Sequence, residues 1–138
     1  MSPEEAVTRE SENAEFMTEW RQYLGRIGTA GDLTRLYCCG AGITGFHVNP
    51  RGGLQACLMV PTPEYSLVDG HFAAGWRSIV EDMRSRSIAA DSPCRRCDKK
   101  NVCGYCPGFF LADSGDETKR SDYLCAIGQC RAKMLQNA

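Results

Sequence analysis

A basic surplus is missing: 16 Lys and Arg stand against 17 Asp and Glu in 138 residues, for a formal net charge of −1. That excludes an overall electrostatic footprint for DNA or RNA, so no nucleic-acid partner is expected. Long apolar runs are missing too. None approaches the ~18 residues of a membrane helix, so no membrane partner is expected either. The first twenty residues carry six Glu against one Arg and lack the apolar stretch of a signal peptide, so a cytoplasmic chain is expected. Histidine is scarce, and His47 and His71 have no ligand-like spacing; each is expected as an ordinary surface or core residue. There is no Ser/His/Asp set, P-loop or dinucleotide fingerprint.

Cysteine, in contrast, is abundant. Nine cysteines in one short chain are more than packing needs, and an odd number cannot pair fully within one chain. A disulfide framework does not suit a reducing cytosol. Metal ligation or catalysis remains.

The chain reads as an α+β domain. Residues 2–24 form a predicted helix. Ser2, Pro3 and Glu5 mark its start as a capping box, and Gly25 and Gly28 mark its end. Val7, Met17, Trp20 and Leu24 lie on its apolar stripe, while Glu4, Glu5, Glu10, Glu12, Glu15 and Glu19 are expected to face mostly water. Residues 46–48 and 54–58, joined by Asn49-Pro50-Arg51-Gly52, read as a β-hairpin with a type I turn. Pro61 and Pro63 make residues 61–69 read as loop. A second helix is predicted from His71 to about Arg86, with Asp69 as a cap and Phe72 and Trp76 in the core. Residues 91–112 read as a cysteine-dense loop, Ser114-Gly115-Asp116 as a break, and about 121–135 as a last helix. Asp113, Asp116 and Glu117 read as loop acids and caps. The organisation expected is a docking or linker helix over 1–30, then a small irregular domain over 31–138. A cofactor would order its cysteine-rich loops around the hairpin and flanking helices.

Within the dense loop, Cys94, Cys97, Cys103 and Cys106 follow C-x2-C-x5-C-x2-C. Each C-x2-C pair brings two thiolates to one centre through a tight turn, and Gly104 eases the second turn. Four thiolates could close one zinc site, giving a structural or interaction module without redox chemistry. Zinc through these four leaves Cys38, Cys39, Cys57, Cys125 and Cys130 unexplained. Two iron–sulfur clusters need about eight ligands and fit the count better.

These residues resemble the SPASM domain, the C-terminal auxiliary iron–sulfur domain of radical SAM proteins. Cys39 or Cys38 precedes Gly52-Gly53-Leu54-Gln55-Ala56-Cys57, the family's Gly-x4-Cys. The dense block follows, and Cys125 closes the pattern. Around them, Cys39-Gly40-Ala41-Gly42, Tyr65-Ser66-Leu67 and Trp76 also match. The likeness covers about residues 31–130. It departs from the family in the x2 spacing between Cys103 and Cys106, in the adjacent Cys38 and Cys39, and in the extra Cys130, which reads as a spare thiol.

The resemblance implies two [4Fe–4S] clusters. One would take Cys39, Cys57 and Cys106, with Cys38 or an open iron in its fourth place. The other would take Cys94, Cys97, Cys103 and Cys125. The implied role is electron relay and substrate docking for a peptide- or protein-modifying enzyme. Arg95, Arg96, Lys99 and Lys100 lie between ligands, where they offset cluster charge, tune its potential, contact an acidic partner or simply face water. No cysteine set here has the C-x3-C-x2-C spacing that binds the SAM-cleaving cluster, and no barrel pattern is present. The chain is therefore expected to bind no SAM and to catalyse nothing alone. It would serve a radical SAM barrel in cis or in trans, as a fragment or a stand-alone partner.

Overall fold

Ser2 opens the chain's first helix, α1 (Pro3–Ser11), with the expected reciprocal cap: Glu5 N–H donates to Ser2 Oγ at 3.1 Å and Ser2 N–H to Glu5 Oε2 at 2.8 Å. The computed structural model describes residues 1–27 and 34–136. The single helix expected over 2–24 is two helices, because Asn13 starts a new one. Its Oδ1 accepts from Phe16 N–H at 3.0 Å, capping α2 (Ala14–Ile27). Helix α2 runs past Gly25. The expected stop at Gly28 and the boundary between 1–30 and 31–138 lie outside the described residues.

The hairpin forms as read. Strands β1 (His47–Val48) and β2 (Gly53–Cys57) pair antiparallel, and Gly52 N–H closes the turn on the Asn49 carbonyl at 2.9 Å. A third strand, β3 (Val60–Ser66), replaces the loop expected over 61–69 and completes a sheet of order β1-β2-β3. Pro61 and Pro63 are tolerated because β3 is an edge strand, where a missing N–H removes no central ladder bond. Central β2 buries Leu54 and Ala56 in the core. Its buried Gln55 donates to Glu64 Oε2 at 2.7 Å and to the Pro61 carbonyl at 3.2 Å.

Helix α3 (Phe72–Ser85) packs on β2 and β3 through Ile79 and Met83. Two expectations fail here. His71, not Asp69, holds the N-cap position, and it makes no side-chain cap bond. Phe72 is 44% exposed rather than core, because it stacks on half-buried Trp76 at the surface end of the helix.

Leu36 and Tyr37 join the same core. The Tyr37 hydroxyl donates to Glu117 Oε2 at 2.6 Å, and Arg86 Nη1 donates to the same oxygen at 2.7 Å. Glu117 is thus a half-buried tie between segments rather than a loop acid. It anchors the chain just before Cys38 and Cys39.

The last part of the cysteine-dense segment is also helical. Pro107 at the first position opens α4 (Pro107–Ser114), which ends at Gly115. The apolar run Phe109-Phe110-Leu111 has no helical period that would have announced it. Helix α5 (Asp122–Gln136) follows, and α1 packs against it. Arg131 on α5 grips Glu10 with both ends of its guanidinium, at 2.8 and 2.6 Å. Glu10 is therefore a docking residue, not a solvated acid.

Candidate metal centre

Pro93 starts a short 3-10 turn, Pro93–Arg96, that carries Cys94 and leads into Cys97. The next turn is tied by Cys103 N–H to the Lys99 carbonyl at 2.9 Å and by Lys100 N–H to the Cys97 carbonyl at 3.3 Å. Gly104 has φ +71°, the left-handed conformation that lets the chain reverse between Cys103 and Cys106. Helix α5 brings Cys125 in from its first turns. Buried Gly128 lets that helix approach: a Cβ there would lie 2.5 Å from Cys103 Cβ and 3.0 Å from its Cα.

These elements bring Cys94, Cys97, Cys103 and Cys125 to the lining of one cavity of about 420 Å³. That size falls within the range of cofactor sites, roughly 300–1,000 Å³. Four cationic residues, Lys99, Lys100, Arg120 and Lys133, share the lining, and no carboxylate is among the residues that form it. Tyr105 and Phe110, packed edge to face at 5.2 Å, supply an aromatic wall.

The sulfurs feel one another. Burial raises the Cys94 pKa, and nearby Cys97 and Cys125 add to the rise. Burial pushes the Cys103 thiol up to about 11, with Cys97 and Cys94 adding again. Among the described residues, no three His, Cys, Asp or Glu side chains are gathered closely enough to hold a single metal ion. The four cysteines share the lining of one cavity.

The remaining sequence candidates lie elsewhere. The cavity lining includes none of Cys38, Cys39, Cys57, Cys106, Cys130, His47 and His71. Cys38 and Cys39 are exposed, and Cys57 is half-buried at the end of β2. Cys106 caps α4, its Sγ accepting from Phe109 N–H at 3.4 Å. Tyr105 links the two sets. Burial raises its hydroxyl pKa well above the ordinary value, and sulfurs of Cys38, Cys94, Cys103 and Cys106 all contribute. All nine cysteines are free of disulfides.

Sequence reasoning missed three parts of this site: the aromatic wall, Ser121 and the burial of Lys100. Ser121 is 2% exposed, and its carbonyl accepts from Cys125 N–H at 3.1 Å. A serine at the very start of the predicted last helix was the available signal for its capping position. No helix among the described residues is long and apolar enough to cross a membrane.

No family model matches the chain, and no solved structure matches it. It is similar to an uncharacterized protein of Archaeoglobus fulgidus, 29% identical over 89 residues. The match covers 62% of this chain and 21% of that protein, so the chain spans about a fifth of its relative's length.

Proposed function

We propose that this chain holds two auxiliary [4Fe–4S] clusters of the SPASM type. It would act in the cytoplasm as the electron-relay and substrate-docking module of a radical SAM enzyme that modifies peptides or proteins. The SAM-cleaving barrel is supplied in cis or in trans. The observation that carries this reading is the four-cysteine cavity. The cysteines lining it are the same four that the resemblance assigns to one cluster, and they come from two separated segments.

The donor set fits such a group. Four thiolates lining one cavity are the donor set that a [4Fe–4S] cluster takes. When bound, the clusters supply one-electron transfer. The chain's own residues do the rest. Cys94, Cys97, Cys103 and Cys125 give up their protons to ligate. The cationic lining offsets the negative charge that results. Tyr105 and Phe110 limit the access of water on one side.

The second set, Cys39, Cys57 and Cys106 with Cys38 or an open iron in the fourth place, rests on the resemblance. Anaerobic reconstitution of the full chain tests the whole reading. About eight iron and eight sulfide per chain, with visible absorbance that bleaches on reduction, are expected. One or two zinc ions with no sulfide would replace this reading with a zinc-stabilised interaction module.

A further inference from the structure

Lys100 is 6% exposed, and its Nζ, shielded from solvent, has no hydrogen-bond partner. Two half-buried arginines, in contrast, are paired. Arg86 meets Asp82 and Glu117, and Arg131 meets Glu10. The Lys100 ammonium instead lies 4.3 Å from the centre of the Tyr105 ring. A cation–π contact offsets only part of the cost of burying a charge.

The surroundings say what would complete it. Lys100 lines the four-cysteine cavity, in which no carboxylate is available as a counter-ion. It lies in the loop between two ligands and is fixed by both. Its N–H bonds the Cys97 carbonyl, and its carbonyl accepts from Cys103 Sγ at 3.4 Å. Four thiolates around an oxidised [4Fe–4S] core carry a net charge of about −2.

We propose that Lys100 is the built-in counter-charge of the cavity's anionic, sulfur-ligated occupant, a positioning residue that stabilises the group's more negative, reduced state. This rests on the cluster reading above. The other cations of the lining are weaker candidates. Lys99 is held by Asp98 at 2.9 Å, Arg120 lies 3.5 Å from Asp122, and Lys133 is exposed. Solvent screens them, while Lys100 acts through a low-dielectric interior.

The test uses the full chain, reconstituted anaerobically and titrated potentiometrically with electron paramagnetic resonance as the readout. Lys100→Met is expected to keep wild-type iron and sulfide and to move one midpoint potential to a more negative value. Lys100→Gln, a second neutral variant, should do the same. Lys100→Arg should restore the wild-type potential, and Lys133→Met should move it less.

Folded Met and Gln variants that lose iron, beside an Arg variant that keeps it, would also support the counter-charge, acting through binding. Loss of iron in all three, or loaded neutral variants with unchanged potentials, would overturn the role of Lys100 alone. An equal shift in Lys133→Met would overturn it too. A wild-type chain that takes up no iron and sulfide would overturn the cluster reading beneath it.

Discussion

Cys103 binds its proton more tightly in the fold than in the open chain, because burial raises its pKa to about 11 and neighbouring sulfurs add to the effect. Cys94 shifts the same way for the same main reason. A raised pKa contributes stability that is full below the unfolded thiol value, about 8.5, and is lost as pH climbs through the folded value. The metal-free chain is therefore expected to lose stability between about pH 8.5 and 11. A loaded chain should not follow, since coordinated thiolates carry no proton. Urea unfolding at pH 7, 9 and 10, with and without metal, checks this; parallel pH curves for the two forms would contradict it. The cysteine spacing was visible in the sequence because cysteine is chemically specific. The burial of Lys100 was not, because a lysine flanked by Lys99 and Asn101 looks like any solvated loop charge. Only the packing of Tyr105 against it reveals the difference.

At the scale of elements, local signals that name a specific bond were readable, and long-range ones were not. The Ser2–Glu5 cap and the Asn49–Gly52 turn each join residues three apart. Strand β3 hid behind its two prolines, because whether a proline is tolerated depends on whether the strand lies at an edge. Helix α4 hid because its apolar residues show no period. Arg131 ties these elements together. Besides gripping Glu10, it donates to the Val102 carbonyl at 2.8 Å, next to Cys103, and lies over the Trp20 ring at 5.0 Å. One side chain therefore joins α1, α2, α5 and the cysteine loop. Arg131→Ala leaves a half-buried Glu10 unpaired and is expected to cost about 2–3 kcal/mol in chemical unfolding. Iron occupancy should drop modestly, because Cys103 loses a neighbouring brace. A variant within ~0.5 kcal/mol of wild type would show that this pair is solvated in solution.

Across the whole molecule, two packed regions meet along the cysteine segment. Leu54, Ala56, Val60, Ile79 and Met83 build a core between the sheet and α3, joined by Leu36, Tyr37 and Ile88. The terminal helices α1 and α5 pack together separately, and each buries an aliphatic side chain, Val7 and Ile127. Residues 91–106 have little regular structure and lie between the two. Four of the expected ligands come from this segment, and Cys125 comes from the helix beyond it. The α+β class was readable from hydrophobic period and turn residues. That Cys125 would join Cys94, Cys97 and Cys103 followed from the resemblance and not from periodicity, because no local signal connects α5 to a loop more than twenty residues earlier.

Cys125 lines the cavity, whereas Cys130, five residues further along the same helix, does not. Iron and sulfide per chain should therefore be measured after identical anaerobic reconstitution of the wild type, Cys125→Ser and Cys130→Ser. The account predicts that Cys125→Ser loses up to about half of both, the share of one [4Fe–4S] cluster of two, while Cys130→Ser matches the wild type. Equal loss from the two variants, or no loss from Cys125→Ser, would contradict it.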